Sequence, residues 1–317
     1  MIGYCINNPK FRKILKAGNQ LIDSTQDTLI PVSIEEARSK PRPDFYYQNG
    51  LKKQNRTDNS GYIFTEQQNK KYNIPILIRE SAVIRDLNKH PDQPDKFAHL
   101  RLKKFKTSYV RFSWNSFYMD EGLHPYDPSY DRWTELQKRH LLTIRQWKRY
   151  GDSILINMQE FKDASLNRLQ YNGIEYPDFM ISKIKEIRSV SQRPIIIRTH
   201  PLNDHAHNYI KRNLPNEKNL IFSKGRSLQE DFSRAFCCVV YNSTSSVESV
   251  MYGLPTFTLD PSAVAYEVSN HNLLEIENPI IEYDRSQWLK KISFMNWRLE
   301  ELEDNYVWNL MKGLIKK

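Results

Sequence analysis

Four stretches of this sequence put hydroxyls, cations or carboxylates where an apolar run ends, and each can do anion or proton chemistry. The richest is YNSTSSVESVMYGLP at 241–255, where Asn242, Ser243, Thr244, Ser245 and Ser246 lead from a Val-rich run straight into a helix pattern. Backbone N–H groups and hydroxyls at a helix start make an anion site, and the helix dipole favours phosphate there. Glu248 lies one turn further on, where it either accepts from a ribose hydroxyl or completes a capping box with Ser245. The run of hydroxyls is longer than a cap needs. A second stretch, RTHP at 198–201, offers Arg198 and His200, a cation and an imidazole suited to the charge of a departing diphosphate. A third, SKGRS at 223–227, sets Lys224 and Arg226 around a glycine, with Ser227 placed to cap the next helix. The fourth, MQEFKDAS at 158–165, supplies Gln159, Lys162 and Asp163. Taken singly, the last three also read as ordinary polar loops.

The elements around these stretches explain why they matter. From about residue 150 onward, strand patterns at 153–158, 194–198, 219–224, 237–242 and 255–260 alternate with helix patterns at 176–189, 205–213, 228–235 and 245–252. Uninterrupted Ile/Val strands alternating with helices predict a parallel sheet covered on both faces. Ligands bind such sheets at the carboxyl ends of the strands, where all four stretches fall. The first half predicts strands at 1–6, 27–33, 43–49, 74–80 and 106–114, helices at 10–22 and 65–71, and a loop at 50–61. The last 35 or so residues are helical, and Trp288, Trp297 and Trp308 read as packing anchors. The expected division is an N-terminal acceptor-side domain at 1–148, a donor domain at 149–285, and C-terminal helices at 286–317 packing back across the N-terminal domain.

Bulk properties bound the function. The 317 residues suit two domains of roughly 150 residues each. A hydrophobic share of 39% is enough for real cores, which excludes wholesale disorder. Lys and Arg exceed Asp and Glu by 47 to 37, and the resulting +10 favours an anionic partner such as a nucleotide sugar, nucleic acid or anionic lipid. Cys5, Cys237 and Cys238 make no disulfide framework, and no Cys/His spacing suggests zinc. No apolar run approaches the roughly 18 residues that cross a bilayer, and no signal-peptide pattern opens the chain, so the expected location is cytoplasmic.

Arg-Thr-His-Pro at 198–201, followed by the hydroxyl-rich turn, Glu248 and GLPTFTLD at 253–260, resembles the donor-domain pattern of capsule-polysaccharide (Kdo-transferase-like) glycosyltransferases. It is also similar to the His-Pro and Ser-Ser motifs of bacterial sialyltransferases. In the first half, IRESAVIR at 78–85 resembles the Glu-x-Gly-x-x-Arg strand end of the capsule family, with Ser81 and Ala82 in place of its glycine. VRFSWNS at 110–116 resembles that family's Gly-Val-Asn segment, and Asp120-Glu121-Gly122 matches the acidic-acidic-Gly motif of the sialyltransferase base. The resemblance covers roughly residues 75–265.

The resemblance implies an α/β GT-B fold, with two facing Rossmann-like domains and a cleft between them. It implies a glycosyltransferase that moves a sugar from a nucleotide-sugar donor, a UDP-sugar first and a CMP-sugar second, to an acceptor hydroxyl. His200, Ser243 and Thr244, with Ser245 or Ser246, would hold the donor phosphates, and Glu80 and Arg85 would face the cleft. Glu80 is the first choice for the base, with Glu121 or Asp120 behind it, while Arg198, His200, Lys224 and the serine turn stabilise the leaving group. No metal motif sits at a strand end. The compact, basic chain, with RLKKFKTSYVR at 101–111, suggests a phage-encoded enzyme acting on a hydroxymethylated base (5-hydroxymethylcytosine type) in DNA. The alternatives are a capsule or lipopolysaccharide acceptor at an anionic membrane surface, and a non-catalytic relative that binds nucleotide or glycan.

Overall fold

The computed structural model describes residues 1–6, 12–22, 27–52, 59–84, 109–201, 203 and 205–315. The chain forms two compact units, Met1–Leu136 with Lys290–Lys317, and Gln137–Leu289. The divisions thus fall earlier than residue 148 on one side and later than residue 285 on the other.

Unit 1 contains β1 (Ile2–Ile6), α1 (Arg12–Leu21), β2 (Thr28–Val32), α2 (Ile34–Ser39), β3 (Phe45–Asn49), α3 (Ser60–Tyr72), β4 (Ile76–Ser81), β5 (Val110–Trp114) and most of α4 (Arg132–His140). Its sheet runs β2-β1-β3-β4-β5, with β5 antiparallel to β4 and the others parallel. Helix α2 was not expected from the sequence. It is short, and the capping box of Ser33 and Glu36 starts it. The expected loop at 50–61 gives way to helix from Ser60 onward.

The C-terminal segment completes this core. Trp297 bridges Val110 through paired backbone hydrogen bonds of 2.8 Å, which extends the sheet edge at β5. Trp308 packs on Phe45 and Trp114, and its indole N–H donates to Asp27 at 2.7 Å. Arg132 is buried 3.5 Å over the Trp297 ring, with Glu301 at 2.8 Å. Its cost of burial is offset because charge, ring and carbonyl partners all meet it.

Unit 2 contains β6 (Ser153–Asn157), α5 (Asn167–Tyr171), α6 (Tyr176–Val190), β7 (Ile195–Arg198), α7 (Ala206–Asn213), β8 (Leu220–Phe222), α8 (Leu228–Arg234), β9 (Ala235–Val240), α9 (Ser245–Met251) and β10 (Thr256–Thr258). All five strands are parallel, in the order β10-β9-β6-β7-β8. Alternate residues serve opposite faces. Ile154, Ile156, Ile195, Ile197 and Val239 pack on Met180, Ile184 and Ile187 of α6, whereas Leu155, Ile196, Cys238 and Val240 pack on Phe232 and Leu254. Two buried faces account for the unbroken Ile/Val runs. All three cysteines are buried free thiols. Helices α10 (Ser286–Ser293) and α11 (Tyr306–Ile315) follow; Trp288 lies in unit 2 and donates to the Val264 carbonyl at 2.8 Å. Among the described residues, no helix is long and apolar enough to cross a membrane.

Candidate functional site

In unit 2 the chain order reverses direction between β6 and β9, which is the position where parallel sheets open a binding crevice. Gln159 follows β6, and Asn242 follows β9. The Gln159 side chain donates to Asn242 Oδ1 at 2.8 Å, and the Asn242 backbone N–H donates to Gln159 Oε1 at 3.2 Å. Asn242 Nδ2 also donates to the Ser165 carbonyl at 2.7 Å and to Ser262 Oγ at 2.8 Å. Both amides are buried. Their polar atoms lock the two strand mouths together. Asn203, after β7, joins the same lock by donating to the Gln159 carbonyl at 2.9 Å. Asp163 accepts from Ser165 N at 2.9 Å and caps a short turn, while Lys162 stays exposed beside it.

The hydroxyl turn is also partly structural. Helix α9 begins at Ser245 with Thr244 as its cap and no side-chain capping bond, so the capping box expected between Ser245 and Glu248 does not form. Ser245 Oγ donates to Ser243 Oγ at 3.0 Å, and Ser246 Oγ, fully buried, donates to the Ser243 carbonyl at 2.7 Å. Ser246 therefore helps to build the turn. Ser243 and Thr244 are the half-buried hydroxyls that the turn presents, and Glu248 is half-buried one turn further on.

His200 follows β7 and is half-buried; its carbonyl accepts from Asn203 N at 2.9 Å. Because β6 lies between β7 and β9, His200 and Ser243 flank the central strand and do not stand on adjacent ones. Arg198, the last residue of β7, is held by Asp231 of α8: its Nη1 lies 2.6 Å from Asp231 Oδ2 and donates to the Arg226 carbonyl at 3.0 Å. Arg226 Nε lies 3.3 Å from Asp231 Oδ1, and Ser223 Oγ donates to Oδ2 at 2.5 Å. Asp231 is wholly buried. The Cys238 thiol, inside β9, is pushed up to about 12, chiefly by burial, with the Asp231 and Glu248 carboxylates adding to the rise. Lys224 is exposed after β8; His207 is lowered by burial and then by Lys224 and Lys211, a sign that cations gather at this mouth.

Unit 1 places the remaining candidates. Glu80 is half-buried near the end of β4, in register with Arg111, and accepts from Ser81 N at 2.8 Å. Gly50, at φ +67°, lets the chain pass: a Cβ there would lie 2.8 Å from Glu80 Oε2. Asp120 and Glu121 are exposed in the loop after β5. Gly122 is a packing requirement, since a Cβ would lie 2.0 Å from the Ser116 carbonyl. Arg85 and residues 101–108 lie outside the described residues. Arg111, which ends the basic stretch, is buried; among the described residues its side chain makes one marginal hydrogen bond, to the Phe117 carbonyl at 3.5 Å, and sits 5.3 Å from the Phe117 ring centroid. Burial lowers its pKa, against the pull of Glu80.

His124 was not anticipated from the sequence. Its Nε2 faces the Tyr118 carbonyl at 3.1 Å. A carbonyl only accepts, so Nε2 carries the proton and Nδ1 keeps its lone pair. Nδ1 is buried with no hydrogen-bond partner among the described residues, and burial followed by Arg111 pushes the ring down to about 4. Asp231 was missed as well. A helix pattern does not mark one acid as buried, although an arginine closing an apolar strand signals that a partner is needed. Among the described residues, no group of three or more His, Cys, Asp or Glu side chains is arranged to hold a metal ion.

Two α/β units in tandem, each built on a Rossmann-like sheet, define a GT-B fold. In particular, the chain is similar to KpsC of Thermosulfurimonas dismutans, beta Kdo 2,7 transferase, at 13% identity over 100% of this chain and 99% of that one, with a TM-score of 0.55. It is also similar to the beta Kdo 2,4 transferase of KpsC from the same organism, at 10% identity over 98% of both chains, with a TM-score of 0.56. At these identities the likeness defines the fold alone. No protein-family model matches the sequence, and no curated protein matches it.

Proposed function

We propose that this chain is a glycosyltransferase that moves a sugar from a nucleotide-sugar donor to a hydroxyl of a glycan acceptor. The observation that carries the reading is the Ser243–Thr244 turn at the topological switch between β6 and β9, inside a GT-B fold. Hydroxyls and backbone N–H groups there suit a donor phosphate, and His200 on the other side of β6 suits the leaving group. Glu80 is assigned the acceptor's proton, with Glu121 or Asp120 as the next candidates. A UDP-sugar remains the first donor to test and a CMP-sugar the second.

The glycan acceptor draws support from the Kdo transferases that share the fold. The DNA acceptor has no comparable support: Arg111, from its basic stretch, is buried and cannot reach a phosphate backbone. Hydrolysis and transfer with UDP-, GDP- and CMP-sugars test the reading, alongside thermal shifts with the free nucleotides. Activity with one nucleotide series, lost in Ser243→Ala, supports it. Nucleotide binding without sugar release from any donor supports the non-catalytic relative instead.

A further inference from the structure

We propose that Arg198 and Arg226, braced from beneath by Asp231, form a paired-guanidinium subsite that takes a phosphate of the substrate, with Asn157 beside them to take a hydroxyl. The inference rests on reading the unit 2 strand mouths as the donor site, and it commits that site to a specific set of side chains. Asp231 is wholly buried: Oδ2 accepts from Arg198 at 2.6 Å and from Ser223 at 2.5 Å, while Oδ1 lies 3.3 Å from Arg226 Nε as an ion pair and accepts no hydrogen bond among the described residues. One arginine would neutralise that carboxylate. The second leaves a net positive charge and sets two like charges side by side, an arrangement that gains stability when an anion joins them.

Each arginine turns only one edge toward Asp231. Arg198 uses Nη1 and Arg226 uses Nε. The other guanidinium nitrogens of both carry no hydrogen bond among the described residues, and the two side chains are 28% and 23% exposed. Held forks with free outer edges suit bidentate capture of phosphate oxygens.

Asn157 is an independent pointer to a ligand. It closes β6, pairs in register with Arg198, and follows Leu155 by two residues, on the face that carries Ile196, Cys238 and Phe232. It is 5% exposed; its Nδ2 reaches only Cys238 Sγ at 3.7 Å, and its Oδ1 has no partner. A buried amide oxygen left unmatched next to a phosphate subsite suits a sugar or ribose hydroxyl.

The test is titration calorimetry of the full chain with pyrophosphate, UDP and CMP, using Arg226→Ala, Arg226→Lys, Asp231→Asn and Asn157→Leu, each checked for its melting temperature. Arg226→Ala is expected to weaken pyrophosphate binding by about tenfold, and Arg226→Lys to restore less than half of that, because a point charge replaces a fork. Asp231→Asn adds a positive charge. If Asp231 only neutralised the pair, this variant would bind pyrophosphate more tightly; the brace predicts binding weaker by about fivefold. Asn157→Leu should leave pyrophosphate binding alone and weaken one nucleotide by about fivefold. Wild-type protein that binds neither nucleotide nor pyrophosphate overturns this inference together with the donor-site reading. Normal nucleotide binding, with Arg226→Ala within about twofold of wild type or Asp231→Asn tighter, overturns the inference alone.

Discussion

The two units satisfy their buried polar groups to different degrees. In unit 2, Gln159, Asn242, Ser165 and Ser262 satisfy one another around the switch point. In unit 1, among the described residues, Arg111 is buried with one marginal hydrogen bond and the His124 lone pair has no partner. Around the switch point the unit 2 frame is closed, while Asn157 beside it keeps an amide oxygen with no hydrogen-bond partner among the described residues. Unit 1 carries a burial cost at these two side chains, and such costs concentrate where a protein does chemistry.

The comparison can be broken in four ways. Glu80→Gln removes the assigned base, and transfer should fall by about a thousandfold while nucleotide binding stays unchanged; steady-state rates with calorimetry check this. His124 should make stability pH-dependent. Its folded pKa of about 4 lies below the ordinary value of 6.5, so the unfolded chain binds the proton first as pH falls. Stability contributed by the neutral ring is complete above about pH 6.5 and is lost toward pH 4, by about 3 kcal/mol. Urea titrations across that window should show the slope in wild type and a flatter profile in His124→Phe.

Asn242→Ala opens the unit 2 frame and strands the Gln159 amide, which should cost about 2 kcal/mol in chemical denaturation. Arg111→Met should do the reverse. A hydrophobe of similar length removes a buried cation held by one marginal hydrogen bond and the pull of Glu80, so stability should hold or rise by about 1 kcal/mol. Equal destabilisation by the last two variants would erase the distinction between the units.

The sequence made unit 2 legible because its code is local. Ile195–Ile197 and Cys237–Val240 are buried on both faces and read as unbroken apolar runs, and His200 and Ser243 do fall after strand ends. What stayed hidden depends on contacts distant along the chain. Asp231 meets Arg198 from 33 positions away, and Gln159 meets Asn242 from 83. Neither pairing leaves a periodic trace, so a buried brace and a buried lock look like ordinary polar residues. The lateral order of the strands was equally out of reach, and with it the fact that β6 separates His200 from Ser243. In unit 1, α2 escaped notice because its six residues are too few to show a helical period.

Unit 1 is assembled from two stretches that bracket unit 2, and Trp297, Trp308 and Met311 supply part of its interior. During synthesis, unit 2 has all its strands before residues 290–317 emerge, while unit 1 must wait with Phe45 and Trp114 uncovered. The order of completion is then inside-out along the chain, with the middle maturing first, and the long-range closure of unit 1 becomes the slow, aggregation-sensitive step.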